Sequence, residues 1–294
     1  MSRAPIFDVI ERRTKVAKIF RPVLAKYGLE SLFDELKLHI REERITELSH
    51  CRQLSDGILT AMFPKETIPS RLFHYTKLPL LRSIATSGEL RLYWMRKRLG
   101  QGELDTFAIT HGLDGYLRSS KGKPPFYKEL SEDIFYTSLT RPGGQNEDEL
   151  WNVFAEGGRG VRLKLQVTPV RARSDLRPIQ YETAAQTLLN ELNRALADEG
   201  EPPFVPWTIS RIGAFYLPSF LHREDEVRLM IKRYKNGRNE ARSDPPDEYW
   251  PMPLNSENDY CCIRLLEIHM GPNANRSDVA TAIKGTTLAS TPIA

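Results

Sequence analysis

Three short stretches of the sequence carry an imidazole, hydroxyls, aromatic rings and carboxylates in a pattern that suits a nucleotide pocket. Residues 72–76 read LFHYT, an aromatic strand that is followed at once by a helix-like run. Residues 134–140 read IFYTSLT, a strong strand candidate, and residues 222–230 read HREDEVRLM. The first and third stretches lie about half the chain apart, so we expect the intervening elements to bring them together.

Within each stretch, residues two apart point to the same face if the stretch is a β-strand. The residues that share a face in this way are His74 with Thr76, Tyr136 with Ser138 and Thr140, and Glu224 with Glu226. A pocket lined by such side chains can bind a ribose and a flat heterocycle, and its carboxylates can stabilise a cationic transition state.

Each of these groups also has an ordinary structural interpretation. A single strand histidine such as His74 is often a hydrogen-bonded structural residue, and an acidic run is often a solvated face. His222, Glu224 and Glu226 at alternate positions are potential metal ligands, but no second motif supplies the remaining ligands, and no metal site is predicted. The apolar residues after Val227 indicate that this strand enters the core, which leaves Glu226 at its mouth.

Several familiar motifs are absent from the sequence. It contains no G-x-x-x-x-G-K-[ST] phosphate loop, no Gly-rich dinucleotide fingerprint and no G-x-S-x-G elbow. Any dinucleotide site in this chain must therefore be of a non-Rossmann kind. The three cysteines, two of them adjacent, predict neither a disulfide framework nor a Cys-rich zinc site.

The composition is that of a globular protein with a sizeable core: 294 residues, of which 40% are hydrophobic. The sequence lacks both an apolar run long enough to span a membrane and a signal-peptide pattern at its N-terminus, which predicts a cytoplasmic protein without membrane partners. Secretion without a cleaved signal stays open. The net charge is only +4, but basic residues cluster in residues 91–98, 121–128 and 232–238, which suits phosphate-bearing partners.

Periodicity divides the chain into three parts. Residues 1–68 predict a helical N-terminal module, with a third helix over 45–62, whose role is either packing or substrate docking or autoinhibition. Residues 69–285 alternate short strands with helices and predict an α+β domain of catalytic type. Residues 286–294 lack periodicity and predict a flexible tail. Within the α+β domain, residues 236–258 are charged and proline-rich, which predicts a long surface loop.

From Arg71 to about Lys284 the chain resembles a bacterial domain family of unknown function. The recurring signs of that family are a His-Tyr-Thr strand, a Ser-x-Ser strand, a Trp-x-x-Tyr-Ala helix ending in Gly-Val and a Glu-x-Glu-Trp-Arg strand. The matching positions are residues 74–76, 138–140, 150–155 with Gly160-Val161, 224–228 and 271–273. Phe154 and Val227 depart from the family pattern, which often has Tyr and Trp there.

The order of these motifs also resembles the ADP-ribosyltransferase superfamily, which implies split antiparallel sheets with flanking helices and NAD as a substrate. The implied NAD-binding positions are a ribose anchor at His74, a backbone dock at Tyr75, the neighbouring Thr76, and stacking rings at Tyr136 and at Trp151 or Phe154. The implied catalytic positions are Glu226 for the oxocarbenium-like transition state, Ser138 to orient it and Glu224 to position or deprotonate the acceptor.

The leading hypothesis is therefore an NAD-dependent ADP-ribosyltransferase that modifies a nucleic acid or a protein, in a toxin, effector or phage-defence setting. Two alternatives remain. One is a non-catalytic module that binds nucleic acid or a protein through the basic clusters, and the other is an NAD glycohydrolase without a macromolecular acceptor. Trp151 and Phe154, three residues apart on a helix, are core residues by default. The sequence leaves the oligomeric state open.

Overall fold

A computed structural model of the protein describes residues 5–48, 50–98, 103–119, 122, 125–144, 146–170, 173–183, 186–233, 240–244 and 247–294. The helices of these residues are α1 (Pro5–Lys26), α2 (Gln53–Met62), α3 (Leu78–Ser87), α4 (Met95–Arg98), α5 (Asp105–Thr110), α6 (Phe126–Leu130), α7 (Glu147–Phe154), α8 (Leu188–Asp198), α9 (Ile209–Ala214) and α10 (Arg276–Ile283).

The strands of the same residues are β1 (Leu38–Ile40), β2 (Ile45–Glu47), β3 (Ser70–Thr76), β4 (Glu89–Trp94), β5 (Ile134–Thr140), β6 (Val161–Pro169), β7 (Ser174–Pro178), β8 (Gln180–Tyr181), β9 (Tyr216–Leu217), β10 (Glu226–Lys232), β11 (Arg242–Asp244), β12 (Asp247–Pro253) and β13 (Cys261–Met270). The architecture is mixed α/β with a curled antiparallel sheet, which agrees with the predicted α+β class.

The chain forms two compact units that interleave along the sequence. Unit 1 comprises Met1–Pro64, Gly100–Leu130 and Gln180–Ser219, and unit 2 comprises the remaining segments, Lys65–Leu99, Ser131–Ile179 and Phe220–Ala294. The N-terminal residues therefore belong to a unit that also takes residues from two later parts of the chain. Sequence periodicity cannot reveal this arrangement, because it reports local structure and not which segments pack together.

Unit 1 is built on helices and two small two-stranded sheets, and its hydrophobic centre includes the stacked rings of Phe20 and Phe33, with Phe204 packed edge-on against Phe20. The helix predicted over 45–62 is wrong in its first part: Ile45–Glu47 is strand β2, and α2 begins only at Gln53. The buried carboxylate of Glu47 accepts hydrogen bonds from the backbone N–H groups of Leu54 and Ser55, so it caps α2 from the strand.

Unit 2 contains a nine-stranded sheet, with strand order β11-β12-β4-β5-β3-β6-β13 and with β10 joining β5 to β7. The strands carry the apolar side chains of one large core cluster, which α3 and α10 complete through Leu81, Ile84 and Val279. Branched and aromatic residues dominate these strands, as expected for a pleated surface buried on one face or both.

The sheet splits beside β5. On one edge β10 pairs with β5 over its whole length, from Ile134 to Thr140. On the other edge β4 pairs only at Phe135 and Tyr136, and β3 pairs only at Thr140. Among the described residues no strand pairs with the intervening positions on that edge, so β3 and β4 diverge and an opening lies between them.

Two glycines allow backbone segments to approach closely, Gly160 at the end of β3 and Gly271 at the loop before β6. A Cβ atom on Gly160 would lie 2.3 Å from the carbonyl oxygen of Thr76, and one on Gly271 would lie 2.2 Å from the carbonyl oxygen of Gly158. Real Cβ atoms do not approach backbone this closely, so only glycine fits at these two positions. Gly160 and Gly271 thus have a packing role.

The last nine residues differ from the flexible tail that the sequence predicts. Ile293 forms a bridge with Ile268, the N–H of Met270 donates to the carbonyl oxygen of Ala294, and Leu288 is buried in the core cluster of unit 2. Short apolar residues without periodicity can still pack as irregular backbone against a sheet. The tail therefore extends the edge of the sheet beside β13.

Candidate functional site

A cavity of about 300 Å³ opens where the sheet splits. Its walls come from β3, α3, β4, β5, α7 and the start of β10. All of these elements belong to unit 2, so the cavity is complete within that unit. The volume lies at the lower end of the range for small-molecule sites, about 300–1,000 Å³. We call this cavity the cleft.

Of the nine predicted site residues, eight line the cleft. They are His74, Tyr75, Thr76, Tyr136, Ser138, Phe154, Glu224 and Glu226. Four separate stretches of sequence, the three described first and the helix that carries Phe154, therefore converge on one place in the structure. The ninth residue, Trp151, does not line the cleft and lies in the packing layer behind it.

The two glutamates reach the cleft from different backbone elements, which corrects the prediction that they share one strand face. Glu224 ends a 3-10 helix that runs from Ser219 to Glu224, and β10 begins only at Glu226. Between them Asp225 has a φ of 40°, a left-handed conformation that interrupts any strand alternation. Because a strand period applies only where the backbone is extended, Glu224 and Glu226 do not share a strand face.

Glu226 is held by a hydrogen-bond network at the start of β10. The Ser138 hydroxyl donates to its Oε1 at 2.6 Å. Arg228 donates hydrogen bonds to both carboxylate oxygens, from Nε to Oε1 at 2.8 Å and from Nη2 to Oε2 at 3.0 Å. The guanidinium of Arg228 also lies over the ring of Tyr136, 4.1 Å from its centroid. Glu226 and Arg228 are 3% and 2% exposed, so this is a desolvated, charge-assisted pair.

Strand register explains why these groups meet. Arg228 lies directly opposite Ser138 in the β5–β10 pairing, and Glu226 lies opposite Thr140. Side chains of directly opposed residues point to the same face, where their Cβ atoms are neighbours. The polar side chains of β5 and β10 therefore lie side by side on one face of the sheet. Leu139 and Val227 point to the core on the other face.

His74 contacts β5 across the split. Its Nδ1 lies 3.2 Å from the backbone carbonyl oxygen of Ser138. A carbonyl oxygen can only accept, so Nδ1 carries the proton in this contact and a neutral ring keeps Nε2 as its acceptor nitrogen. His74 thus donates a hydrogen bond to a backbone carbonyl on the edge of β5, at a position with which no strand pairs on that edge among the described residues.

The aromatic residues divide between packing and lining. Tyr75 packs edge-on against Trp151 at 4.8 Å, and its hydroxyl accepts a hydrogen bond from Arg162 at 3.0 Å. Burial raises the pKa of Tyr75, and the hydrogen bond from Arg162 opposes that change. Phe154, by contrast, lines the cleft and is 39% exposed. The core interpretation therefore applies to Trp151, and Phe154 is the helix residue that is placed to contact a ligand.

Two residues to which the sequence assigns no catalytic or binding role, Arg228 and Thr140, stand out in the structure. Arg228 interrupts an otherwise apolar stretch of β10, and in the sequence it stands only as the last residue of the Glu-x-Glu-Trp-Arg match. Thr140 lines the cleft, and its Oγ1 is buried without a hydrogen-bond partner in the described part of the protein. A buried hydroxyl without a partner is uncommon in native proteins, and a bound water, ion or ligand is the kind of group that supplies such a partner.

Several members of the basic clusters are paired within unit 2. Arg96 forms an ion pair with Glu132, and Arg233 with Asp133 and Glu248 at 3.3 and 2.9 Å. Arg91 lies over the ring of Tyr249 at 4.2 Å. Lys121, Lys123, Lys235 and Arg238 lie outside the described residues. The pairing reduces the charge that these arginines offer to a nucleic acid.

Two further features concern metals and membranes. Over the described residues, no group of three His, Cys, Asp or Glu side chains is placed to hold a metal ion. Of the helices in this part of the chain, none combines the length and the apolar character that a membrane span requires.

Comparison of the chain with protein-family models, with curated proteins and with solved structures gives no match. The fold and the cleft geometry therefore carry the functional argument.

Proposed function

We propose that the chain binds NAD in the cleft and transfers its ADP-ribose to a nucleic acid or a protein. The observation that carries this proposal is the held carboxylate: Ser138 and Arg228 fix Glu226 in a cleft that His74 and Tyr136 also line. The split antiparallel sheet supports the proposal, because an ADP-ribosyltransferase-like fold has this form. A toxin, effector or phage-defence role is part of the same proposal.

The chemistry needs a negative charge near the sugar carbon. The bond between C1′ of the nicotinamide ribose and N1 of nicotinamide breaks, and its electron pair leaves with nicotinamide. The ribose then carries oxocarbenium-like positive charge, which a buried, preorganised carboxylate such as Glu226 stabilises. The acceptor nucleophile bonds to C1′ and loses its proton, for which Glu224 is the candidate base.

The remaining cleft residues suit the parts of this substrate. Tyr136 and Phe154 offer aromatic surface to the nicotinamide ring, and the His74 ring offers a nitrogen to a ribose hydroxyl. The β3 edge beside Tyr75 and Thr76 has no pairing with β5 beyond Phe73, so its backbone is the candidate dock for the nicotinamide amide. A cleft of about 300 Å³ suits the nicotinamide riboside half, with the adenylate extending beyond it.

Filling the cleft with a bulky side chain tests the proposal without removing a contact of the network. Ser83 is exposed and lines the cleft from α3, so Ser83→Trp should raise the KM for NAD by about tenfold or more. Release of nicotinamide and transfer of label from NAD labelled in its adenylate are both measured. Transfer to an added acceptor distinguishes ADP-ribosylation from hydrolysis.

Thr86→Trp is the matched control, because Thr86 is exposed on the same helix and does not line the cleft. It should keep wild-type kinetics. The proposal fails if the wild-type protein neither releases nicotinamide nor transfers label, and the cleft assignment fails if both tryptophan variants behave alike.

Removing the buried hydroxyl of Thr140 should separate binding from stability. Thr140→Val keeps the shape but deletes a buried hydroxyl that lacks a partner, so the free energy of unfolding should rise by about 1 kcal/mol. If NAD supplies the missing partner, the free energy of NAD binding should become less favourable by about 1 kcal/mol in the same variant. Chemical denaturation and calorimetric titration measure the two quantities. Loss of stability together with unchanged affinity would show that Thr140 is a purely structural residue.

A further inference from the structure

We propose that Arg228 is a positioning residue that holds the Glu226 carboxylate in its working orientation. This inference rests on the proposed function for its kinetic test, but the placement itself is a statement about two side chains. Arg228 contacts both oxygens of Glu226 through a bidentate fork, at 2.8 and 3.0 Å. It does not line the cleft, so it acts through Glu226.

The two hydrogen bonds from Arg228 fix the orientation of the Glu226 carboxylate, in addition to balancing its charge. Two parallel N–H···O bonds define the plane of the carboxylate, whereas a single contact leaves it free to rotate about the bond to Cγ. The Ser138 hydroxyl adds a third direction at Oε1. With three bonds from two strands, the carboxylate has one orientation relative to β5 and β10.

Tyr136 holds the other partner of this pair. Its ring lies under the guanidinium, with the centroid 4.1 Å from Cζ, and it also lines the cleft. A planar guanidinium can stack on an aromatic face while its edge donates hydrogen bonds, and a lysine ammonium cannot do both. The position therefore requires arginine rather than a positive charge alone.

The second buried arginine of the sheet provides a matched comparison. Arg177 on β7 lies directly opposite Arg228 in the β7–β10 pairing, is 1% exposed and pairs with Asp175 at 3.0 Å. It does not line the cleft. Arg177 and Arg228 thus share residue type, burial and an acidic partner, and they differ in whether that partner lines the cleft.

The test compares Arg228→Lys with Arg177→Lys in NAD turnover. Arg228→Lys should lower kcat for nicotinamide release by at least tenfold and change the KM for NAD about threefold or less, because a misplaced carboxylate affects mainly the transition state. Arg177→Lys should keep kcat within about twofold. Melting temperature and circular dichroism report the folding of both variants.

A second measurement needs neither NAD nor the Arg228 variant. In a nitrogen-15 spectrum of the wild-type protein, the Nε–H signal of Arg228 should be protected from exchange. Glu226→Gln should shift it strongly, and Glu267→Gln, a change on β13 that does not touch Arg228, should leave it in place.

The outcomes separate the two ideas. If the wild-type protein does not consume NAD, the proposed function fails, and the Nε–H signal alone decides the placement of Arg228. If Arg228→Lys keeps wild-type kcat, or Arg177→Lys loses as much, the positioning role is overturned. An Arg228 Nε–H signal that is unchanged in Glu226→Gln overturns the positioning role as well, even if Arg228→Lys does not fold.

Discussion

Replacing Glu226 with glutamine is expected to lower kcat for nicotinamide release from NAD by roughly 10³-fold, the largest effect that we predict. The amide has nearly the shape of the carboxylate but no charge to place against an oxocarbenium-like sugar. Ser138 can still donate to the remaining carbonyl oxygen, so the wall of the cleft keeps its form. Affinity for NAD should change less than kcat, because the lost interaction matters mostly in the transition state.

The stability of this variant has to be measured alongside its activity. Glu226→Gln leaves the buried Arg228 without its anionic partner, and breaking a buried pair costs about 3–5 kcal/mol. Circular dichroism and melting temperature show whether the variant is folded at the assay temperature. Glu267→Gln, which alters a glutamate paired outside the cleft, should keep activity within about twofold. A folded Glu226→Gln protein with near wild-type kcat would rule out catalysis by Glu226.

The second large effect is a loss of stability at mildly acid pH, caused by His111 in unit 1. His111 is fully buried; its Nδ1 donates to the carbonyl oxygen of Phe107, and its Nε2 accepts from the hydroxyl of Thr187, each at 2.7 Å. Burial lowers the pKa of His111 from its ordinary 6.5 to about 4, against the smaller opposing influence of the Phe107 carbonyl. The ring is therefore held neutral in the folded protein.

The sign follows from proton binding in the two states. Above about pH 6.5 His111 is neutral in both the folded and unfolded chain, and its full contribution to stability is present. As pH falls toward about 4, the unfolded chain takes up a proton that the folded chain does not, and this lowers the free energy of unfolding. The shift corresponds to a loss of about 3 kcal/mol.

Urea unfolding at pH values between about 7 and 4 measures this loss, with hydrogen exchange of α8 amides to report on unit 1. His111→Gln, which keeps a donor and an acceptor but does not titrate, should remove most of the pH dependence. His39→Gln alters an exposed histidine of the same unit and should leave it unchanged. Equal slopes for wild type and His111→Gln would contradict the assignment.

Much of the sheet in unit 2 could be predicted from local pattern. Strand β5 has the predicted bounds, 134–140, and the predicted strand at 72–76 lies within β3, which begins two residues earlier at Ser70. These segments are rich in branched and aromatic residues, and β6 alternates polar and apolar residues as a half-buried strand does. The helix-like run predicted after the first stretch is helix α3, which Gly88 ends in a left-handed conformation.

Strand β12 could not be predicted, since it lies in a segment that reads as a proline-rich loop. Pro251 and Pro253 lack the N–H that a central strand needs. Strand β11 pairs with β12 only as far as Tyr249, so both prolines lie where no strand pairs with that edge among the described residues. The buried Trp250 packs against Phe135 and Tyr260, and this tertiary contact outweighs the local loop signal.

The sequence predicts which residues line the site, and it does not predict how these residues contact one another. Residues such as His74, Ser138 and Glu226 follow from residue type and family resemblance. The roles of Arg228 and Thr140 do not, although both residues lie in matched stretches, because these roles depend on the register between β5 and β10, which no single segment encodes. The left-handed Asp225 that separates the two glutamates is equally invisible to a strand-period argument.

The interleaving of the two units has a consequence for synthesis on the ribosome. Unit 1 draws on residues as late as Ser219, so its core cannot close when the first 64 residues emerge. The early helices α1 and α2 must wait for α8 and α9 while much of unit 2 is already outside the ribosome. This chain therefore cannot fold unit by unit from the N-terminus, which is the usual order during translation. Both units reach their final form late.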